Sequence, residues 1–109
     1  MNIIVKVKNM DKKSLYNSIN ELSKIYYKYY INMKKIHRVP KGIMVCECIK
    51  KLQDDICEIY FTSKDTDILL NTHKLDFLIR DLYNCNIISN KQKISLSRII
   101  SKILSSIKS

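Results

Sequence analysis

The residues of this chain whose number and spacing can do chemistry are its cations, and the chemistry is the binding of polyanions. Twenty Lys and Arg stand against ten Asp and Glu in 109 residues, a formal net charge of +10. The excess is uneven. Residues 1–53 hold eleven Lys and one Arg against Asp11, Glu21 and Glu47, and residues 84–109 hold five basic residues and no acid. The stretch between them, 54–83, is net acidic. In the first basic segment Lys13, Lys24 and Lys28 are followed by Lys34, Lys35 and Arg38; in the last, Lys91, Arg98 and Lys102 recur at helical spacing. Such clusters take phosphates by neutralising charge and releasing counterions, whatever the base sequence. Tyr16 and Tyr27 lie among the first lysines, and an aromatic exposed beside cations stacks on unpaired bases. These nine cations are the candidate nucleic-acid contacts, with RNA expected ahead of DNA. The plainer account makes them a solvated face and the tyrosines core-edge residues; the net charge favours the first.

Other chemistry finds less support. Cys46, Cys48, Cys57 and Cys85 lack the Cys-x-x-Cys knuckles of a zinc site, and a fourth ligand beside the first three would have to be Cys85 or His37. Buried, reduced thiols are the expectation, with no metal or cofactor. His37 and His73 belong to no recognisable triad pattern. Acid groups such as Asp65 and Asp67 suit a helix N-terminus better than a metal. A single glycine forbids a Gly-rich phosphate loop. An enzyme with a small-molecule substrate is the least expected class.

The positioning elements are read from periodicity. Ile3–Lys8 is β-branched and alternating, a first strand. Asp11 is placed to cap a helix over 12–30, whose Leu15, Ile19, Leu22, Ile25, Tyr26 and Tyr29 form one apolar stripe. A second strand is expected within 31–39, a hairpin turn at Pro40-Lys41-Gly42, a third strand over 43–50, a polar turn over 51–55 and a fourth strand over 56–62. Two helices follow. One is anchored by Leu75, Leu78, Ile79 and Leu82 and ends at Asn84-Cys85-Asn86; the other opens at a Ser89/Gln92 capping box. On the last helix Leu96, Ile99, Ile100, Ile103, Leu104 and Ile107 fill one face. The order β-α-β-β-β-α-α predicts an α+β fold, a small antiparallel sheet of about four strands covered by two or three helices, in one domain spanning 1–109.

Helix, three strands and helix in that order resembles the double-stranded-RNA-binding domain in topology alone. Ser63-Lys64-Asp65-Thr66-Asp67 sets acids where that family sets a lysine-rich clamp. Lys41-Gly42-Ile43-Met44-Val45 is similar to the start of an RRM's RNP1 strand, without its stacking aromatics.

No apolar run approaches the ~18 residues of a membrane span, and Met1–Lys6 has no secretory-signal pattern. With unpaired cysteines this points to the cytoplasm or nucleus. No Ala occurs, while Ile, Lys, Asn, Ser and Tyr abound, which suggests an AT-rich genome, large DNA viruses among the candidates. The alternative to nucleic acid is a protein-interaction adaptor, such as a viral protein engaging a host factor or assembling with itself. Its acidic stretch 54–83 would then matter more.

Overall fold

Four amphipathic helices side by side make up the computed structural model, which describes residues 11–33, 38–62 and 67–108. They are α1 (Lys12–Asn32), α2 (Ile43–Thr62), α3 (Ile68–Asn84) and α4 (Asn90–Lys108), with a π-helical turn at Arg38–Gly42 leading directly into α2. Each helix packs against its neighbours in sequence, and α1 closes the ring against α4. The result is an up-down-up-down bundle of 41 × 24 × 22 Å.

Local chemistry sets the helix ends. Asp11 Oδ1 accepts the Ser14 N–H at 3.1 Å and caps α1. At the other end Met33 is extended and stops the helix. After α3, Asn86 takes a left-handed conformation at φ 61°. The Ile87 N–H then donates to the Leu82 carbonyl at 2.9 Å and the Asn86 N–H to that of Tyr83 at 3.0 Å. That pair of bonds is a Schellman motif with Asn in the usual glycine position. Ser89 and Gln92 form the expected capping box: the Gln92 N–H donates to Ser89 Oγ at 3.1 Å and the Ser89 N–H to Gln92 Oε1 at 2.9 Å.

Between the helices lies a core of Leu15, Ile19, Leu22 and Tyr26 from α1, Val45, Ile49, Leu52, Ile56 and Ile59 from α2, and matching Leu and Ile from α3 and α4. Tyr26 is wholly buried and donates its phenol to the Gly42 carbonyl at 2.8 Å, tying α1 to the π-helical turn. Gly42 is there for space. A Cβ on it would stand 3.0 Å from the Tyr30 ring, a contact tighter than side chains normally make.

The α+β expectation is wrong. Among the described residues there is no strand, and the segments read as third and fourth strands, 43–50 and 56–62, are one helix, α2. Its inward positions Val45, Cys48, Ile49, Leu52, Asp55, Ile56 and Ile59 keep three- and four-residue spacing straight through the supposed turn at 51–55. Short, mostly apolar runs with β-branched and aromatic residues imitated strands; the longer window shows a helix. Residues 31 and 32 of the supposed second strand finish α1, and Pro40–Gly42 is π-helical where a hairpin was expected. The first strand, 3–8, lies outside the described residues, as does 34–37. With no β-sheet in the described chain, the topological likeness to a double-stranded-RNA-binding domain fails, and so does that to an RRM strand, since 41–45 is helical. No described helix is long and apolar enough to cross a membrane.

Candidate nucleic-acid interface

The two basic segments, far apart in sequence, are brought together by the α1–α4 seam. These helices run antiparallel: the Asp11 N–H donates to the Ser106 carbonyl at 3.3 Å, Ser14 and Ser106 hydroxyls meet at 2.9 Å, and Lys102 Nζ approaches Glu21 at 3.9 Å. Ser14, Glu21 and Ile25 therefore mark the side of α1 that looks toward α4. Lys24 and Lys28 sit three residues beyond Glu21 and Ile25, on the outward shoulder of that side, and Lys13 lies on the same shoulder three turns before Lys24. All three lysines are exposed.

Across the seam, Lys91, Arg98 and Lys102 stand on the facing shoulder of α4, all exposed. They line a groove of about 480 Å³ together with Glu21, Ile25 and Ile94. A second depression, about 420 Å³, continues it toward the α1 N-terminus between Lys13 and Lys102. The row from Lys13 to Lys28 covers about 22 Å at 1.5 Å per residue. Six of the nine expected cations thus border one strip of surface. Lys34 and Lys35 lie outside the described residues, and Arg38 opens the π-helical turn.

Electrostatics sharpens the strip. Along α1, Glu21 is the one acid against four lysines, and α4 has five cations and no acid. Within the described residues Lys13, Lys24, Lys28, Lys91 and Arg98 belong to none of the ion pairs, whereas Lys102 has Glu21. Five cations outside any ion pair, with Glu21 and the capping Asp11 the acids that line the two depressions, leave the strip an excess of positive charge that raises the local anion concentration. Tyr16 and Tyr27 are each about half exposed on the other shoulder of α1, within reach of a strand lying along its lysines.

Charge is handled differently on the opposite seam. Asp55, buried on α2, accepts from Asn71 Nδ2 of α3 at 2.7 Å and pairs with Lys51 at 3.3 Å. Lys41 in the π-helical turn pairs with Asp81 at 2.7 Å, and Asp81 holds its ammonium above the usual lysine range. Asp55 does the same for Lys51.

The thiols correct part of the sequence reading. Cys48 is buried and Cys46 half-buried, and burial pushes both thiols up; Cys57 and Cys85 are exposed. On a helix Cys46 and Cys48 point to nearly opposite sides, so they do not share one face of α2 as they would on the expected strand. The described residues contain no group of three or more His, Cys, Asp or Glu fit to hold a metal.

Sequence reasoning passed over Lys93, Arg80 and Tyr83. Lys93 follows Lys91 by two residues, which on a helix sends it to the α3 side. There its ammonium lies 4.2 Å from the centre of the Tyr83 ring. The spacing Lys93, Ser97, Ser101 in steps of four was the available signal.

Comparison with known proteins finds no matching family model, no matching curated protein and no matching solved structure.

Proposed function

We propose that this bundle binds nucleic acid, RNA ahead of DNA, through phosphate contacts along the α1–α4 seam. The observation that carries the reading is that Lys13 of α1 and Lys91, Arg98 and Lys102 of α4 line two adjoining depressions on the seam, with Lys24 and Lys28 exposed on the neighbouring outer face of α1; of the six, only Lys102 belongs to an ion pair within the described residues. A strip of this kind recognises the spacing of backbone charges and carries little base specificity. The half-exposed Tyr16 and Tyr27 favour a ligand with unpaired bases, which RNA loops and ends present.

The test is a titration of labelled RNA and DNA, single- and double-stranded, across a salt series. Wild type should give a log–log slope of several charges. The variant K24Q/K28Q/K91Q/R98Q should bind far more weakly, with a slope shallower by about 0.7–0.9 for each phosphate it no longer neutralises. Its helical content should be intact, because substitutions at exposed positions usually move stability by only about 0.5 kcal/mol each. Equal binding by the variant, or no wild-type binding at low salt, refutes the proposal.

A protein partner is the second reading, and one observation favours it. Phe77 is 69% exposed and Leu70 48%, two turns apart on the outer face of α3. Exposed apolar side chains in register suit a contact with another protein or a second copy. Sedimentation of wild type and Phe77→Lys decides it: a concentration-dependent dimer that the variant abolishes supports self-association.

A further inference from the structure

On the far side of α4 lies another groove, between α3 and α4, of about 690 Å³. That is a volume typical of small-ligand sites. Its walls include Arg80 and Tyr83 from α3 and Lys93, Ile94, Ser97 and Arg98 from α4. Ile94 and Arg98 also line the α1–α4 groove, so α4 is a ridge whose crest belongs to both. No Asp or Glu is among the residues lining this second groove.

We infer that this groove seats one nucleotide of a single strand, its base against Tyr83 and its phosphate among Lys93, Arg80 and Arg98. The inference rests on the phosphate-binding reading of the α1–α4 seam, which it extends across the ridge. A nucleotide asks for an aromatic face, cations and hydroxyl partners close together, and here they converge. Tyr83 is half-buried and packed against the core, so its ring is held in place. Lys93 now covers that ring at 4.2 Å. A cation–π contact at a solvent-exposed site is weaker than a base–aromatic stack, and the four-carbon stem of Lys93 lets the ammonium swing aside onto the phosphate. Arg80 is tied to Asp76 through Nε at 3.2 Å, which orients a guanidinium whose remaining N–H donors are suited to phosphate oxygens. Ser97 supplies a hydroxyl for the sugar or the base edge. A duplex cannot use this site, because its bases are stacked inside; a strand crossing the crest at Arg98 can.

Equilibrium binding separates this site from the phosphate strip. The probes are a short oligouridine, an abasic ribose-phosphate chain of the same length, the corresponding RNA duplex, and uridine monophosphate. The proteins are wild type, Tyr83→Ala, Tyr83→Phe and K24Q/K28Q. Tyr83→Ala should weaken oligouridine by about five- to hundred-fold, the range for removing one stack, and leave the abasic chain unchanged. Tyr83→Phe should keep wild-type affinity, and K24Q/K28Q should weaken both chains alike. Equal affinity of Tyr83→Ala and wild type for oligouridine, with K24Q/K28Q still impaired, removes the base site and spares the phosphate strip. Weakening by Tyr83→Ala that is the same on the abasic chain assigns Tyr83 a structural role and also overturns the inference. Duplex bound more tightly than single strand overturns it, as does monophosphate bound as tightly as oligouridine, which would make the site one for free nucleotides. Failure of wild type to bind any chain defeats both readings.

Discussion

The α1–α4 and α2–α3 seams are built from the same helical geometry and treat charge in opposite ways. On the α2–α3 side, cations are committed inside the molecule. Lys51 pairs with the buried Asp55, and Lys41 reaches from the π-helical turn to Asp81. On the α1–α4 side the helices touch through apolar groups and the Ser14–Ser106 hydroxyl pair. The cations there stand on the outer shoulders, with Glu21 alone to answer them along those two helices. Clustered like charges destabilise a fold, so a bundle that can pair its charges on one seam and leaves them unpaired on the other has an unneutralised surface to offer. Charge on the first seam supports folding, and charge on the second is directed outward. Substitutions can break that division of labour.

Asp55 should give the largest effect. It is 2% exposed, and its two partners are unlike: Asn71 is partly buried with it, while Lys51 is mostly in water. The exposed lysine contributes little. Removing the carboxylate strands the Asn71 amide, and an unsatisfied buried group costs about 1–3 kcal/mol. Asp55→Ala should therefore lower unfolding stability by about that much and leave the affinity of the folded protein for RNA untouched. Urea denaturation followed by circular dichroism measures the first, and titration at a temperature where the variant is folded measures the second. A fully stable Asp55→Ala would mean that the α2–α3 seam does not depend on its internal charge.

Tyr26 comes next. Burial, aided by the neighbouring Cys46, Tyr30 and Tyr27, pushes its phenol far above the ordinary tyrosine value of 10.0. Burial also raises Cys46 and Cys48 from 9.0. In each case the fold holds a proton that the unfolded chain releases at lower pH. Stability is therefore undiminished below about pH 9 and falls as pH rises through 9 to 11, where the unfolded state binds fewer protons. Tyr26→Phe loses the bond to the Gly42 carbonyl, about 1 kcal/mol, and removes the tyrosine share of the alkaline decline. Melting temperatures from pH 7 to 11 should converge between the two proteins at the alkaline end. Parallel curves would show that Tyr26 is not what the fold protects at high pH.

The order of these effects follows from what the sequence could and could not display. Helix ends were readable because capping is local: Asp11, Ser89 with Gln92, and the Asn84–Asn86 break all do what their types suggest. The apolar stripes of α1, α3 and α4 were readable for the same reason. The identity of α2 was not. Ile43–Lys50 is a short, mostly apolar run whose Ile and Val favour strands, and Lys51–Asp55 looks like a polar turn until Asp55 is allowed to be buried. A buried carboxylate satisfied by Asn71, 16 residues on, is a tertiary fact. The cations were identifiable as a set, but their convergence depended on α1 meeting α4, a pairing of the first and last helices that no local pattern records. Lys93 and Tyr83 meet only across an interhelical seam, and that pair too was hidden.

Glu21 should give the smallest change in stability and the most pointed one in binding. It reaches Lys102 at 3.9 Å, with both side chains about half exposed. Such a surface pair contributes about 0–1 kcal/mol, so Glu21→Gln should shift stability by no more than that. Its effect on the strip is of the opposite sign. The substitution removes the acid that faces the α1–α4 groove and frees Lys102 for a phosphate. Binding to RNA at low salt should therefore tighten, and the log–log salt slope should steepen by up to about 0.9, one additional counterion release. The tightening should fade as salt rises, because the added attraction is screened over ~8 Å at physiological ionic strength. Weaker binding by Glu21→Gln would mean that the acid positions Lys102 for its ligand, and the α1–α4 strip would then be a patterned site rather than a simple excess of positive charge.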